Sequence, residues 1–383
     1  MKYLCIFLIL VLFWSCRKAE EAIPTENLPS YYTFSGLIGT NDNSTIVLND
    51  NDIVICGNTN KGASILKISN QGKQVWRKYF SNSNPNFISG IVQAPNQNYF
   101  LCGSILKDNS TSNWDMWLIK TNSGGDTVWT KTFGDSAIDY GNQIINTQDG
   151  NILLCGITRS VLSQSYPDIY LIKVDYNGDT LWTRTYPDED QEIPFHLLET
   201  QNGEYLVTGT NIDTGQPIQL YYLKVNSSGD VIWDKKIGSA DSRYGLSTIE
   251  LSNGNLLTCG MQLLSNNKSR LLVEKTDNLG NVIWEKNFGD SILSGIGNSI
   301  KKNADNTFTI VGSSFESSGK SDIILLKFDS NGNQLLFKKF GGSENDYGKN
   351  LIKDHGDGNI ITGNYYGSIF MLKTDRDGKF LIL

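Results

Sequence analysis

The stretch D-Y-N-G-D-T-L-W, residues 175–182, decides how this chain is read. Asp175, Asn177 and Gly178 are residue types that tolerate the positive φ of a tight hairpin, and Thr180, Leu181 and Trp182 resume strand character behind them. The stretch is a turn followed by a strand that carries a tryptophan. Variants return as N-Q-G-K-Q-V-W ending at Trp76, S-G-G-D-T-V-W at Trp129, S-S-G-D-V-I-W at Trp233 and N-L-G-N-V-I-W at Trp284. A sixth copy, S-N-G-N-Q-L-L, puts Leu336 in the tryptophan slot, and a truncated seventh has Gly378 with Ile382. Successive intervals from Trp76 to Leu336 are 53, 53, 51, 51 and 52 residues, a sustained period that marks a repeat architecture.

Working outward, the third repeat resolves into Y-G-N-Q-I-I-N, N-I-L-L-C-G-I-T, D-I-Y-L-I-K-V-D and D-T-L-W-T-R-T-Y, four short apolar segments bounded by turn signals. These are strands A to D. The strand B glycine recurs as Gly57, Gly103, Gly156, Gly209, Gly260, Gly312 and Gly363, and the strand C lysine as Lys67, Lys120, Lys173, Lys224, Lys275, Lys327 and Lys373. Both counts give seven units. Seven four-stranded antiparallel units predict an all-β chain, a seven-bladed β-propeller, because radial closure leaves only short, protected sheet edges. An open solenoid would need polar caps, and the sequence has none. Residues 31–36, Y-Y-T-F-S-G, resemble T-K-T-F-G at 130–134, so they are expected to pair with the seventh blade and close the ring. Residues 30–383 thus read as one domain.

The D-x-x-G-x-x-x-W unit resembles the repeat of pyrroloquinoline-quinone-type propellers, including the lipoprotein propeller of the outer-membrane barrel-assembly machinery, over about residues 40–383. The resemblance implies structural tryptophans, each docked between neighbouring blades. A quinone-dependent dehydrogenase would also present adjacent cysteines and calcium-ligating acids. No two cysteines here are adjacent, and no cofactor is expected.

The N-terminus is a separate object. Lys2 precedes an apolar run over residues 3–14, too short to span a bilayer comfortably and placed as a signal-peptide core. It ends at Ser15-Cys16, which resembles a bacterial lipobox, so residues 1–15 are a lipoprotein signal and Cys16 is the expected lipidation site. Arg17, Lys18, Ala19, Glu20 and Glu21 resemble the charged tether that routes some Gram-negative lipoproteins to the outer membrane. Residues 16–29, with Pro24 and Pro29, form a flexible spacer. The expected location is the cell envelope, as an outer-membrane lipoprotein on its periplasmic or surface side, with the membrane as first partner.

Charge excludes one partner class. Net charge is −7, from 33 basic and 40 acidic residues spread along the chain, which leaves no basic stripe for nucleic acid. Cys56, Cys102, Cys155 and Cys259 all precede a strand B glycine, where other repeats carry Thr208, Val311 and Thr362. That interchange predicts small buried slots and free thiols.

No catalytic or metal-binding set emerges. The turns at Asp175, Asp329 and Asp375 resemble the start of a calcium loop but lack its helical flanks and later glutamate, and turn geometry alone explains their recurrence. His196 and His355 are the only histidines, without H-x-x-x-H or C-x-x-C, and His196 reads as a strand A packing position. An Asp-box has Asp two before Gly and Trp three after it, whereas here the offsets are three and four. Arginines are too dispersed for a carboxylate-binding cluster.

Loop lengths break the repeat. From strand B glycine to strand C lysine the spans are 10, 17, 17, 15, 15, 15 and 10, so the face carrying the B-C and D-A loops should form a collar with a notch at the closure. On that face Tyr140, Tyr244 and Tyr347 precede or occupy the start of strand A in blades three, five and seven, beside Asp139, Arg243 and Asp346. They are the candidate ligand-binding residues. Trp114 and Trp117 read as core. The expected function is a non-catalytic binding or scaffold module for an envelope protein or glycan, the alternative being a glycoside hydrolase or lyase with acids on the same face.

Overall fold

The computed structural model describes residues 31–35, 44–80, 84–108, 113–136, 138–159, 166–288, 294–316, 319–341, 345–365 and 368–381. The expected signal segment, Cys16 and the expected tether lie outside them. Every regular element among the described residues is a strand, in seven four-stranded antiparallel sheets. Blade three shows the pattern: Asp139–Asn146, Ile152–Thr158, Asp168–Val174 and Thr180–Tyr186 pair in sequence order. In blade seven Asp346–Lys353, Asn359–Tyr365 and Ser368–Thr374 take Tyr31–Ser35 as their fourth strand, with Tyr31 opposite Leu372 and Ser35 opposite Ser368. The ring therefore closes as the sequence predicts. Phe380 adds one bridge to Thr374 and packs on Phe340, ring centroids 5.2 Å apart.

Alternation along a strand sends successive side chains to opposite sheet faces, and here both faces of strands B and C are covered by neighbouring blades. In blade one, Ile53 and Ile55 meet Ile360, Ile369 and Met371 of blade seven, while Val54 and Cys56 meet Ile88, Tyr99 and Leu101 of blade two. Each fully buried Ile or Leu contributes roughly 1.5–3 kcal/mol. Strand D lies outermost, and Val75, Val128 and Leu181 remain exposed there.

The tryptophans lock one blade to the next. A Cβ on Gly178 would lie 2.5 Å from the Trp129 ring, and the same contact recurs at 2.8 Å for Gly125 on Trp76 and 3.1 Å for Gly229 on Trp182. Gly280 on Trp233 and Gly332 on Trp284 repeat it. The turn glycine is thus required twice, for its φ of +78° at Gly178 and for the bare surface on which the preceding blade's tryptophan rests. Alongside, Lys78 and Lys131 reach Asp126 and Asp179 at 2.5 and 3.0 Å, exposed pairs that steer more than they stabilise.

Strand bounds bear out the unequal lengths of the B-C connections. Strands B and C are separated only by residues 60–61 in blade one and 366–367 in blade seven, against 159–167 in blade three.

Candidate functional site

Strand A slips register by one residue in blades two to seven, between Ile88/Gly90, Gly141/Gln143, Pro194/His196, Gly245/Ser247, Gly297/Ser299 and Gly348/Asn350. Such a bulge kinks the strand and re-aims its side chains. It also drives the carbonyl of the preceding residue, Tyr140 or Tyr347 for example, against the Cα of the strand B glycine. A Cβ on Gly156 or Gly363 would overlap that oxygen, so the bulge is why strand B carries glycine in register.

The residue before the bulge forms a tier at the B-C/D-A face: Phe87, Tyr140, Ile193, Tyr244, Ile296 and Tyr347, all half-buried. Tyr140 stands 5.7 Å by ring centroids from both Phe87 and Trp114, which are 5.5 Å from each other. These three rings from blades two and three, tilted to one another by 45°, 46° and 57°, make one half-buried aromatic cluster. Tyr347 sits 6.5 Å from Phe315. Tyr244 is half-buried in blade five, and burial pushes its hydroxyl pKa up. The three tyrosines occupy equivalent places in non-adjacent blades and share no ring contact among the described residues.

The charged candidates each precede a tyrosine of this tier and are more buried than it. Asp139 is buried, accepts the Asp135 N–H and bonds the Thr158 hydroxyl, and burial, then Asp135 and Asp115, raises its pKa. Asp139 and Asp115 flank Gly134, as Asp346 and Asp322 flank Gly341. Lysines compensate the acids at the start of strand C: Lys107 lies 3.7 Å from Asp115, and Lys320 and Lys339 lie 3.2 and 3.1 Å from Asp322. Recurrence of this buried arrangement in two places marks it as support for the D-A connection. Arg243 is likewise engaged, with Glu285 at 2.7 Å and Glu274 at 3.4 Å, while its Nε donates to the Ser239 hydroxyl.

Trp114 is the residue that sequence reading placed wrongly in the core. Trp117 does belong there, 5 % exposed and edge-on to Phe80. Trp114 instead sits at the open end of strand C, bridged to Ile138 at the entry of blade three.

On the opposite face the strand C lysines are structural. Lys173 meets Asp149 at 2.6 Å and the Tyr205 hydroxyl of the next blade at 2.8 Å, Lys224 meets Glu204 at 2.6 Å, and Lys373 donates to the Asn70 carbonyl across the closure. The calcium-like turns are self-satisfied: Asp175 Oδ1 accepts N–H groups of Asn177 and Asp179 at 2.8 and 2.9 Å, and Asp329 and Asp375 do the same in their turns. His355 contacts the Leu48 carbonyl at 3.2 Å, and His196 lies in strand A of blade four, on the channel wall. Cys56, Cys102, Cys155 and Cys259 are free and buried, as expected, and burial pushes the thiol pKa values of Cys56, Cys102 and Cys155 up.

No protein-family model and no curated protein matches the chain. Among solved structures it is similar to the WD40 domain of Neurospora crassa Pan2, with TM-score 0.57 and 10% identity over 90% of this chain and 95% of that one. It is also similar to the BP39L lectin from Burkholderia pseudomallei, with TM-score 0.56 and 7% identity over 91% and 98%. Puromycin hydrolase aligns with TM-score 0.56 and 10% identity over 89% of this chain and 54% of that one, so the chain spans about half that enzyme's length. At these identities the likeness is one of fold: the chain is a seven-bladed β-propeller, a ring also used by a lectin, a WD40 domain and a hydrolase.

Proposed function

We propose that this chain is a non-catalytic binding module, anchored to the cell envelope through lipid on Cys16, that holds a glycan on its B-C/D-A face. The observation that carries the reading is the cluster of Phe87, Trp114 and Tyr140, three half-buried rings from adjacent blades. A cluster of half-buried aromatic rings at the mouth of the ring offers apolar surface for the apolar face of a sugar. Tyr244 and Tyr347 extend the same tier around the channel mouth. A lectin built on the same fold supports sugar binding as a use of such a ring. The buried acids Asp115 and Asp322 near the tier are lysine-paired supports, which favours binding over hydrolysis.

Glycan and peptide arrays probed with the purified chain test this. Trp114→Ala and Tyr140→Ala should each weaken glycan capture about tenfold or more with the fold intact. Undiminished capture in both variants would remove the site, capture of peptides alone would move the partner to the protein class, and turnover abolished by one loop carboxylate would replace the module with an enzyme. For the anchor, Cys16→Ala should shift the chain from membrane to soluble fractions. Retention of that variant on membranes would refute lipidation as the tether.

A further inference from the structure

An open cavity lies in the channel, towards the A-B turns and away from the aromatic face. It holds about 380 Å³, with Gln143, Ile145, His196, Leu198, Glu199 and Lys301 in its wall. These residues come from strand A of blades three, four and six, so Lys301 faces blades three and four across the channel.

Register defines what Lys301 replaces. Lys301 pairs with Thr309, three residues past the bulge position of its strand. The same level in the other blades is occupied by Ile46, Val92, Ile145, Leu198, Ile249 and Ile352, paired with Val54, Phe100, Leu153, Leu206, Leu257 and Ile360. Six aliphatic residues and one lysine form the collar. The fold therefore accepts an aliphatic side chain here in every other blade, and packing does not call for an ammonium group. Among the described residues no carboxylate lies within ion-pairing distance of Lys301. Glu199 also lines the cavity, held by the Gln148 N–H at 2.7 Å and outside ion-pairing distance of Lys301, so it leaves the ammonium without a partner. Lys301 is half-buried and has no ion-pair partner among the described residues, so its ammonium is open to an anion that enters the cavity.

The level above is polar. Gln143 and His196 stand one residue past their bulges, and burial, then Lys301, pushes the His196 pKa down to about 3, so the imidazole is neutral and adds no charge. The ammonium of Lys301 beside the aliphatic Ile145 and Leu198, with neutral donors above it, suits an anion that has a hydrophobic body.

We infer that this channel cavity binds a small free carboxylic acid, its carboxylate on Lys301 and its apolar body against the collar of Ile145 and Leu198. Binding is read by saturation-transfer NMR on the purified full-length chain with hexanoate, hexylammonium and sulfate as probes. Hexanoate should bind, hexylammonium should not, and sulfate should bind at least tenfold more weakly because it cannot use the collar. Lys301→Ile completes the aliphatic ring and should lose hexanoate at least tenfold while its thermal midpoint holds or rises. Lys301→Met should behave alike, and Lys301→Arg should keep binding. Absence of hexanoate binding, sulfate as tight as hexanoate, or unchanged affinity in Lys301→Ile and Lys301→Met would each overturn the site. A fall in the midpoint of both variants would make the lysine structural and overturn it as well.

Discussion

Gly178 and Gly203 have nearly the same backbone, with φ of 78° and 75°, in different surroundings. Nothing lies within 4 Å of a Cβ on Gly203, whereas one on Gly178 meets the Trp129 ring. Gly203→Ala should cost only the left-handed backbone, roughly 1–2 kcal/mol. Gly178→Ala should cost that and about 1–3 kcal/mol more for the displaced indole. Guanidinium melts compare the two, and equal losses would mean that the tryptophan contact carries no stability. Glu192 gives a second prediction at this scale. It is 1 % exposed, its Oε1 accepts the Asn211 amide at 2.6 Å, and its Oε2 has no partner among the described residues. Burial, against the opposing Asn211 bond and with Asp188 and Asp190 near, raises its pKa to about 8. An unfolded glutamate titrates near ~4.3, so between that value and about 8 the folded state holds a proton that the unfolded state has released. Stability from this group is complete below the lower value and lost as pH rises through the upper one. Glu192→Gln should therefore match the parent near pH ~4 and exceed it above pH ~8 by on the order of 1–3 kcal/mol. Parallel stability–pH curves for the two proteins would show that Glu192 is ionised when folded.

At the level of elements, the closing strand is the clearest test. Tyr31–Ser35 pairs along five positions with strand C of blade seven, and without it that edge keeps only the Phe380 bridge. Deleting residues 31–35 should lower the thermal midpoint by at least about 5 °C. An unchanged midpoint would mean that the blade one and blade seven contacts of Ile53, Ile55, Ile369 and Met371 hold the ring unaided. This strand was legible in the sequence because Thr33-Phe34 repeats a strand D ending seen elsewhere, and the turns were legible because glycine, aspartate and tryptophan mark them chemically. The bulge in strand A was not. One extra residue leaves the local run of apolar residues looking alternate, and its only trace is the strand B glycine, which marked the register without revealing the carbonyl pressed against it. Trp114 was misplaced for a related reason. It shares an apolar strand with Trp117, and only pairing to Leu106 and Ile138 shows that it stands at the open end. Lys301 was invisible until register aligned it with six aliphatic counterparts in other blades.

For the whole molecule, closure decides how it unfolds. In an open array each repeat contacts only its neighbours, and ends can fray independently. Here blade one packs on both blade two and blade seven, so the chain offers no end blade from which unfolding can start without breaking an interblade core. The four buried thiols report on this without any labelling chemistry being engineered. Cys56, Cys102, Cys155 and Cys259 sit in blades one, two, three and five, each in strand B and each fully buried. Fully buried thiols are out of reach of reagent, and burial also raises the pKa of Cys56, Cys102 and Cys155, so alkylation of each of the four requires local or global opening. Pulse alkylation across a denaturant series, read residue by residue by mass spectrometry, should show one shared midpoint for all four, coincident with loss of tryptophan fluorescence. Separate midpoints that step from Cys56 through Cys259 would mean that blades open one at a time and that ring closure does not couple them.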